Sequence, residues 1–428
     1  MFPTQRFIRN TLLLSIMLLP VAHWKLVVFG IPLYGIEIPV MVACFAYGYG
    51  WKTKLFVPSW TNHRSTFFFG VIFFFGGALL SFFANPFSLT GLGMLKTWFA
   101  FPVLWAWLWT EVNPDSRDLE KALLGWFGIS VLGACLSLMF FTNGFLTYDG
   151  RLEGWYASPN FLAFFLAPGV LLGSYFFLRP PYQYFRLWRT AVLFSLAVLV
   201  LALFLTRSYT VWVAVSVTLC FFLLFYKKTS FSWSKKMALI LLVSAVFAGL
   251  LFFESGSEKW QSFIDASPRS SLASRMMIWK ASFRIIADHP VLGIGIGRFQ
   301  EVYLSYQQYF SPYLEWAVPQ PHNLYLAVWL QTGIVGLLGF LLLVGWWMFR
   351  IAVIVRNGVS GAPQPIAALL IVLLMLPLII GLADTPFFKT DLAFMFWYCI
   401  AFGIGFLNEQ KNTKNRNESI SGRNNQPC

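Results

Sequence analysis

The chain has 428 residues, of which 58% are hydrophobic and only 11% charged, and it carries a net charge of +14. Soluble domains carry about 25% charged residues, so a water-soluble fold is excluded. The positive balance does not point to nucleic acid, because no basic repeat with interleaved aromatics and no nucleic-acid module is present.

Apolar segments recur from end to end, each long enough to cross a roughly 30 Å hydrocarbon core. The sequence predicts an all-α, polytopic membrane protein of about 12 transmembrane helices, at residues 6–22, 26–50, 65–83, 92–110, 121–141, 160–178, 190–206, 209–226, 237–253, 323–349, 365–383 and 388–407. Arg6 and Arg9 before the first apolar stretch give it the look of a signal peptide. A second hydrophobic segment follows almost at once, so an uncleaved first helix is expected. Pro32, Pro39 and Glu37 interrupt that second segment, which should be kinked or partly interfacial. Nine helices are thus expected in residues 1–253 and three in 323–407, separated by a long hydrophilic loop, 254–322. Residues 408–428, rich in Asn, Lys and Ser, read as a disordered tail.

The placement of Lys and Arg orients the chain. Twenty gather on one side: Arg6, Arg9, Lys52, Lys54, Arg64, Arg117, Lys121, Arg179, Arg186, Arg189, Lys227, Lys228, Lys235, Lys236, Arg350, Arg356, Lys411, Lys414, Arg416 and Arg423. The short loops of the other side hold only Lys25, Arg151, Arg207 and Lys389. The positive-inside rule then puts both termini in the cytoplasm and the 254–322 loop outside it. Of the five cysteines, Cys44, Cys135, Cys220 and Cys399 lie inside apolar runs and Cys428 ends the chain, so neither a disulfide framework nor a metal site is indicated.

Long loops in compact proteins are usually functional. In this one Leu272, Met276, Trp279, Phe283 and Ile286 recur at 4-3-4-3 spacing, which predicts an amphipathic helix lying on the membrane surface. Lys280, Arg284 and Asp288 fall on its polar side, and Arg275 sits at the waterline, about 60° from the centre of the apolar face. Tyr303, Tyr306, Tyr309, Tyr313 and Trp316 follow at helix-like spacing, as an interfacial belt or a surface for stacking sugars.

Arg151, Arg207, Arg275, His322 and Asp384 all fall at helix ends on the outer side. An ionisable group at membrane depth is costly and suggests function by default, against the alternative of a snorkelling side chain. Arg207 is the most informative, since Thr206-Arg207-Ser208 interrupts an otherwise apolar hairpin. His322 opens the tenth span, and an imidazole there can act as a base or as a helix cap. His289, before Pro290, reads as structural, and His23 and His63 as ordinary loop residues. Gly293, Gly295 and Gly297 lack a βαβ context and suggest a tight turn, with anion binding by its amides as the sharper alternative. The carboxylates do not cluster at metal-ligand spacing, so neither metal nor cofactor is expected.

Several of these residues carry a resemblance. Ser274-Arg275 through Trp279, His289-Pro290, Gly293-x-Gly295-x-Gly297-x-Phe299, His322-Asn323-x-Tyr325-Leu326 and Gly333-x-x-Gly336 resemble the signature of the O-antigen ligase/polymerase superfamily. Thr206-Arg207-Ser208 is similar to that family's helix-end arginine. Arg151-x-x-Gly154 with Ser158-Pro159-Asn160-x-x-Ala163 is similar to its earlier outer-loop motif. His322 and Gly333 match the ligases' His-x10-Gly motif, whereas their Arg-x3-Leu motif is met only in part, because Trp279 follows Arg275. Arg284 and Gly295 give an Arg-x10-Gly pattern linked with the polymerases, so both activities stay open, with ligase favoured.

The resemblance implies transfer of a glycan from undecaprenyl pyrophosphate, without metal or nucleotide, at the outer (periplasmic) face of a bacterial inner membrane. The acceptor would be lipid A-core or another glycan, as in lipopolysaccharide biosynthesis. It assigns Arg207 and Arg275 to the leaving pyrophosphate and His322 to the acceptor hydroxyl, with inversion at the anomeric carbon. Arg151, Asn160, Arg284, Asn323 and Asp384 are the expected substrate-binding residues. A protein O-oligosaccharyltransferase and a transporter or flippase rank lower; a transporter should show paired broken helices near the midplane.

Overall fold

The computed structural model describes residues 3–22, 24–28, 31–55, 65–179, 185–226, 232–257, 260–261, 264–265, 270–307, 318–357 and 364–424. Helix α1 (Pro3–Met17) is followed by a short hairpin of β1 (Lys25–Val28) and β2 (Ile31–Tyr34). Then come α2 (Glu37–Lys52), α3 (Ser65–Ala84), α4 (Leu89–Leu95), α5 (Phe101–Glu111), α6 (Ser116–Thr142), α7 (Pro159–Leu178), α8 (Phe185–Leu205), α9 (Tyr209–Phe225) and α10 (Trp233–Glu254). The loop region carries α11 (Ser271–Asp288) and α12 (Phe299–Tyr306), and α13 (Leu324–Asn357), α14 (Gln364–Ile380) and α15 (Thr390–Asn424) complete the chain. The chain is a nearly all-α, multi-pass membrane protein. Among the described residues six helices are long and apolar enough to span a bilayer, and shorter apolar helices cover Phe68–Ala84, Tyr209–Phe225 and Gln364–Ile380.

Two expectations differ from the structure. The second segment is not one helix. Its first part is an antiparallel hairpin pairing Leu26 with Leu33 and Val27 with Pro32. Proline removes a donor and β-branched Val27, Val28 and Ile31 suit a strand, so the chain turns before it enters the bundle. Glu37 then opens α2 at the positive end of its dipole, accepts the Tyr34 N–H at 3.0 Å and pairs with Lys96 from the π-helical turn joining α4 to α5. The tail differs as well: where disorder is expected from residue 408, helix α15 runs on to Asn424. Glu409 ties this extension to the start of α6, accepting from the Ser116 N–H at 3.0 Å and from its hydroxyl at 2.6 Å. Leu407 to Gln410 stay half-buried and continue the helix from the bundle, so it is propagated rather than newly nucleated.

The core is a large cluster rich in Phe, Trp and Leu side chains, with a second, smaller cluster around Ile278, Ile285, Phe299 and Tyr303. Helices α3 and α13 cross where a Cβ on Gly77 would lie 2.3 Å from the Gly336 nitrogen, a backbone approach typical of small-residue crossings in membranes. At one end of the bundle Arg9 pairs with Asp118, joining the starts of α1 and α6. The opposite end collects the start of α7, the α8–α9 turn, the end of α10, the start of α13 and the loop between α14 and α15. The polar residues singled out above lie there.

Helix α13 is broken at Gly333, whose φ of 68° and ψ of −178° are accessible to glycine alone. The turn through residues 291–297 docks into that break. Val291 O accepts the Ile334 N–H at 3.0 Å, and Leu330 O accepts the Ile294 N–H at 2.7 Å. A Cβ at Gly333 would sit 2.3 Å from Val291 O. The glycine turn is therefore a structural splice. Its amides at Gly293, Ile294 and Gly297 are already bonded to His289 O, Leu330 O and the Gln331 side chain, which leaves the anion-cradle alternative without donors at those three positions.

A candidate active site at one end of the bundle

Asp384, in the loop after α14, is the hub. Its side chain is 4% exposed, and its Oδ1 lies 3.0 Å from His322 Nδ1 and accepts the Thr385 N–H at 2.9 Å. Its Oδ2 accepts from Asn160 Nδ2 at 2.8 Å and from Arg275 Nη2 at 3.3 Å. Burial alone would raise the carboxyl's pKa; a protonated His322, by its charge and its hydrogen bond, the Arg275 guanidinium and the Thr385 amide outweigh it and hold it at about 2. Asp384 is thus a fixed anion at neutral pH.

The chain around His322 is stitched to the same loop. Leu324 N–H donates to Gly381 O at 2.8 Å, and Asn323 Nδ2 donates to Leu382 O at 3.0 Å. The Asn323 Oδ1 caps α13 by accepting the Tyr325 and Leu326 N–H groups, both at 3.0 Å. Trp279 Nε1 donates to His322 O at 3.2 Å, so the tryptophan that departs from the Arg-x3-Leu motif holds the histidine's backbone. His322 itself has φ of 48°, a left-handed conformation uncommon outside glycine. With Nδ1 facing the carboxylate, the hydrogen-bond pattern assigns the proton to Nδ1 and leaves Nε2 as the basic nitrogen.

Arg207 is the second left-handed position, with φ of 47°, at the tight turn between α8 and α9. Arg151 braces this turn: its Nε donates to Thr206 O at 2.8 Å and its Nη2 to Asn160 Oδ1 at 2.8 Å. Burial pulls the Arg151 pKa down, with the Asp149 carboxylate opposing that shift and the Arg275 charge adding to it. Each of three arginines faces a carboxylate of its own: Arg151 and Asp149 at 3.8 Å, Arg207 and Glu254 at 3.5 Å, Arg275 and Asp384 at 3.3 Å.

These groups enclose a cavity of about 380 Å³ lined by Arg151, Asn160, Arg207, Ser208, Tyr209, Thr210, Val213, Ser271, Arg275, Ile379, Leu382 and Ala383. Asn160, Ser208–Thr210 and Ser271 belong to the first turns of α7, α9 and α11, so three helix N-termini point their partial positive charge at it. Ile379 and Leu382 supply an apolar wall. Three guanidinium groups and three helix starts supply the cavity with donors of the kind that suit an anionic, bidentate group.

Of the residues singled out from the sequence, the structure brings together Arg151, Asn160, Arg207, Arg275, His322 and Asp384. Arg284 stands apart. Nine positions beyond Arg275 put it on the opposite side of α11, where it is 65% exposed and pairs with Asp288 at 3.5 Å. Asn323 serves as the cap and loop tie just described. Helix α11 carries its expected membrane stripe only in part, since Ile286 is buried and Trp279 half-buried against the protein. Ile278, Ala281 and Ile285 are buried, while Leu272, Met276 and Phe283 remain exposed along a stripe suited to a membrane surface. Tyr303 is fully buried and Tyr306 donates to Asp288 at 2.9 Å; Tyr309, Tyr313 and Trp316, like His23 and His63, lie outside the described residues. Sequence reasoning missed Glu254, whose signal was a single carboxylate closing an otherwise apolar helix.

Residues 194–341 match the family model described as O-antigen ligase. This segment is similar to the O-antigen ligase superfamily. The matched O-antigen ligase segment includes Arg207, Arg275 and His322, whereas Arg151, Asn160 and Asp384 lie outside it and join the site through the fold. No curated protein matches the chain. The similarity, together with the apolar helices, is to a family of membrane glycosyltransferase-like enzymes.

Proposed function

We propose that the chain transfers a glycan from undecaprenyl pyrophosphate to a hydroxyl of a lipid A-core or related glycan acceptor, at the periplasmic face of the inner membrane. The observation that carries this reading is the cavity in which Arg151, Arg207 and Arg275 meet three helix N-termini beside the His322–Asp384 pair. The pyrophosphate occupies the arginine-lined cavity, with its lipid tail in the bilayer. Arg207 and Arg275 stabilise the charge that develops on the departing oxygen. His322 Nε2 takes the proton of the acceptor hydroxyl, whose oxygen attacks the anomeric carbon as the bond from that carbon to the pyrophosphate oxygen breaks. The electron pair leaves with the pyrophosphate, and a single displacement inverts the anomeric centre. Asp384 holds His322 in the productive tautomer. No step needs a metal.

The ligase assignment rests on the cluster's association with the His-x10-Gly motif, while the Arg284…Gly295 spacing puts neither residue in the cavity. The test is reconstitution of the purified chain in vesicles with a defined undecaprenyl-pyrophosphate oligosaccharide and a lipid A-core acceptor. Glycosylated acceptor is expected, and His322→Ala should lower turnover by roughly 10²–10⁴-fold with donor binding retained. A lengthened lipid-linked glycan in place of glycosylated acceptor would establish the polymerase activity instead, and undiminished turnover in His322→Ala would remove the proposed base.

A further inference from the structure

We propose that Glu254 is a positioning residue for Arg207, and this rests on the assignment of Arg207 to the donor pyrophosphate. Glu254 closes α10, where a negative charge meets the negative end of the helix dipole. Its side chain is only 3% exposed, and a buried carboxylate is costly unless paired and hydrogen-bonded. Its partners come from the catalytic turn and the residues just after α10: Arg207 Nε at 3.5 Å, the Tyr209 hydroxyl at 2.9 Å and the Ser257 hydroxyl at 2.7 Å.

Anchoring of α10 does not account for this residue. The helix packs on α9 and turns Leu241, Leu242, Val246, Phe252 and Phe253 outward, so its docking is apolar and needs no charge at its end. The guanidinium does account for it. Arg207 projects from a left-handed residue in a tight turn, and a long, flexible side chain there gains a fixed direction only from a partner outside the turn. Glu254 faces Arg207 as Asp384 faces Arg275, so each of the two arginines assigned to the leaving group has a buried carboxylate setting its plane.

The experiment is a double-mutant cycle on the full chain in vesicles, with a short undecaprenyl-pyrophosphate oligosaccharide as donor. Glu254→Gln keeps the side-chain volume and an acceptor for the two hydroxyls, and removes the charge. It should lower kcat/KM for the donor about tenfold and leave the acceptor KM unchanged. In an Arg207→Gln background the same change should alter kcat/KM less than about twofold, because its target is gone. Equal losses in both backgrounds, or wild-type kinetics in Glu254→Gln, would overturn the positioning role. Wild-type transfer by Arg207→Gln alone would instead overturn the functional assignment beneath it. If Glu254→Gln does not fold, Glu254→Asp, which withdraws the carboxylate by one methylene, carries the same cycle with the same expected direction.

Discussion

Replacing Asp384 by Asn probes the hub of the site in two independent ways. The carboxyl is held at about 2 against an ordinary 3.8, a difference worth about 2.5 kcal/mol in favour of the charged form. Because the folded value lies below the unfolded one, this stabilisation is complete above about pH 4 and is lost as the pH falls toward 2. The gap in thermal stability between wild type and Asp384→Asn in detergent should therefore be largest near neutrality and shrink between about pH 4 and pH 2. Kinetically, the amide cannot supply the charge that favours protonated His322 as it takes the acceptor's proton, and it can present a donor to Nδ1 and select the wrong tautomer. Turnover should fall roughly 10²–10⁴-fold at pH 7, read by single-turnover transfer in vesicles with matched protein. Turnover within about threefold of wild type would refute the His322–Asp384 pairing as a catalytic device, whatever its effect on stability.

If Arg207 and Arg275 grip a pyrophosphate as planar forks, Arg207→Lys and Arg275→Lys should each lose at least about tenfold in transfer rate despite retaining charge; near-normal rates would mark them as snorkelling residues. Arg284→Lys, on the far side of α11, should stay within about twofold in the same assay. Gly333→Ala should lower stability by about 3 kcal/mol or more, measured by unfolding in detergent, because its Cβ meets Val291 O and its backbone conformation excludes other residues. A membrane-impermeant thiol reagent should label a cysteine placed at position 265 and spare one at 415 in intact cells, and the reverse pattern would invert the proposed orientation.

Much of the fold was legible because hydropathy reports on the solvent and the hydrocarbon core sets the length of each run. Most apolar segments after residue 64 coincide with one helix near the expected bounds, whereas 92–110 divides into α4, a π-helical turn and α5, and α15 runs past its segment. The second segment shows where that signal ends. Pro32 and Pro39 announced an interruption, but a hairpin and a kinked helix of equal hydropathy look alike in a windowed average. Helix α11 shows a different limit. Its apolar residues cover more than one face, so periodicity found a stripe of which Leu272, Met276 and Phe283 stay exposed while Trp279 and Ile286 turn to the protein, and it missed the Ile278–Ile285 face buried by protein.

The site was legible one residue at a time, through ionisable groups where the membrane disfavours them; the pairing among them was not. Asp384 lies 62 residues from His322 and 109 from Arg275, and nothing local marks it as the carboxylate facing both. Arg284 failed for the complementary reason. It shares a helix and a motif-like spacing with residues that matter, but a half-turn of phase carries it to the other side. Glu254 looked like the polar end of a span until the α8–α9 turn was set beside it. In each case the decisive quantity is a charge's nearest opposite charge. In a membrane bundle helix packing sets that distance, so the three arginine–carboxylate pairs and the helix starts between them emerge only when the helix ends on that side of the bundle are brought together.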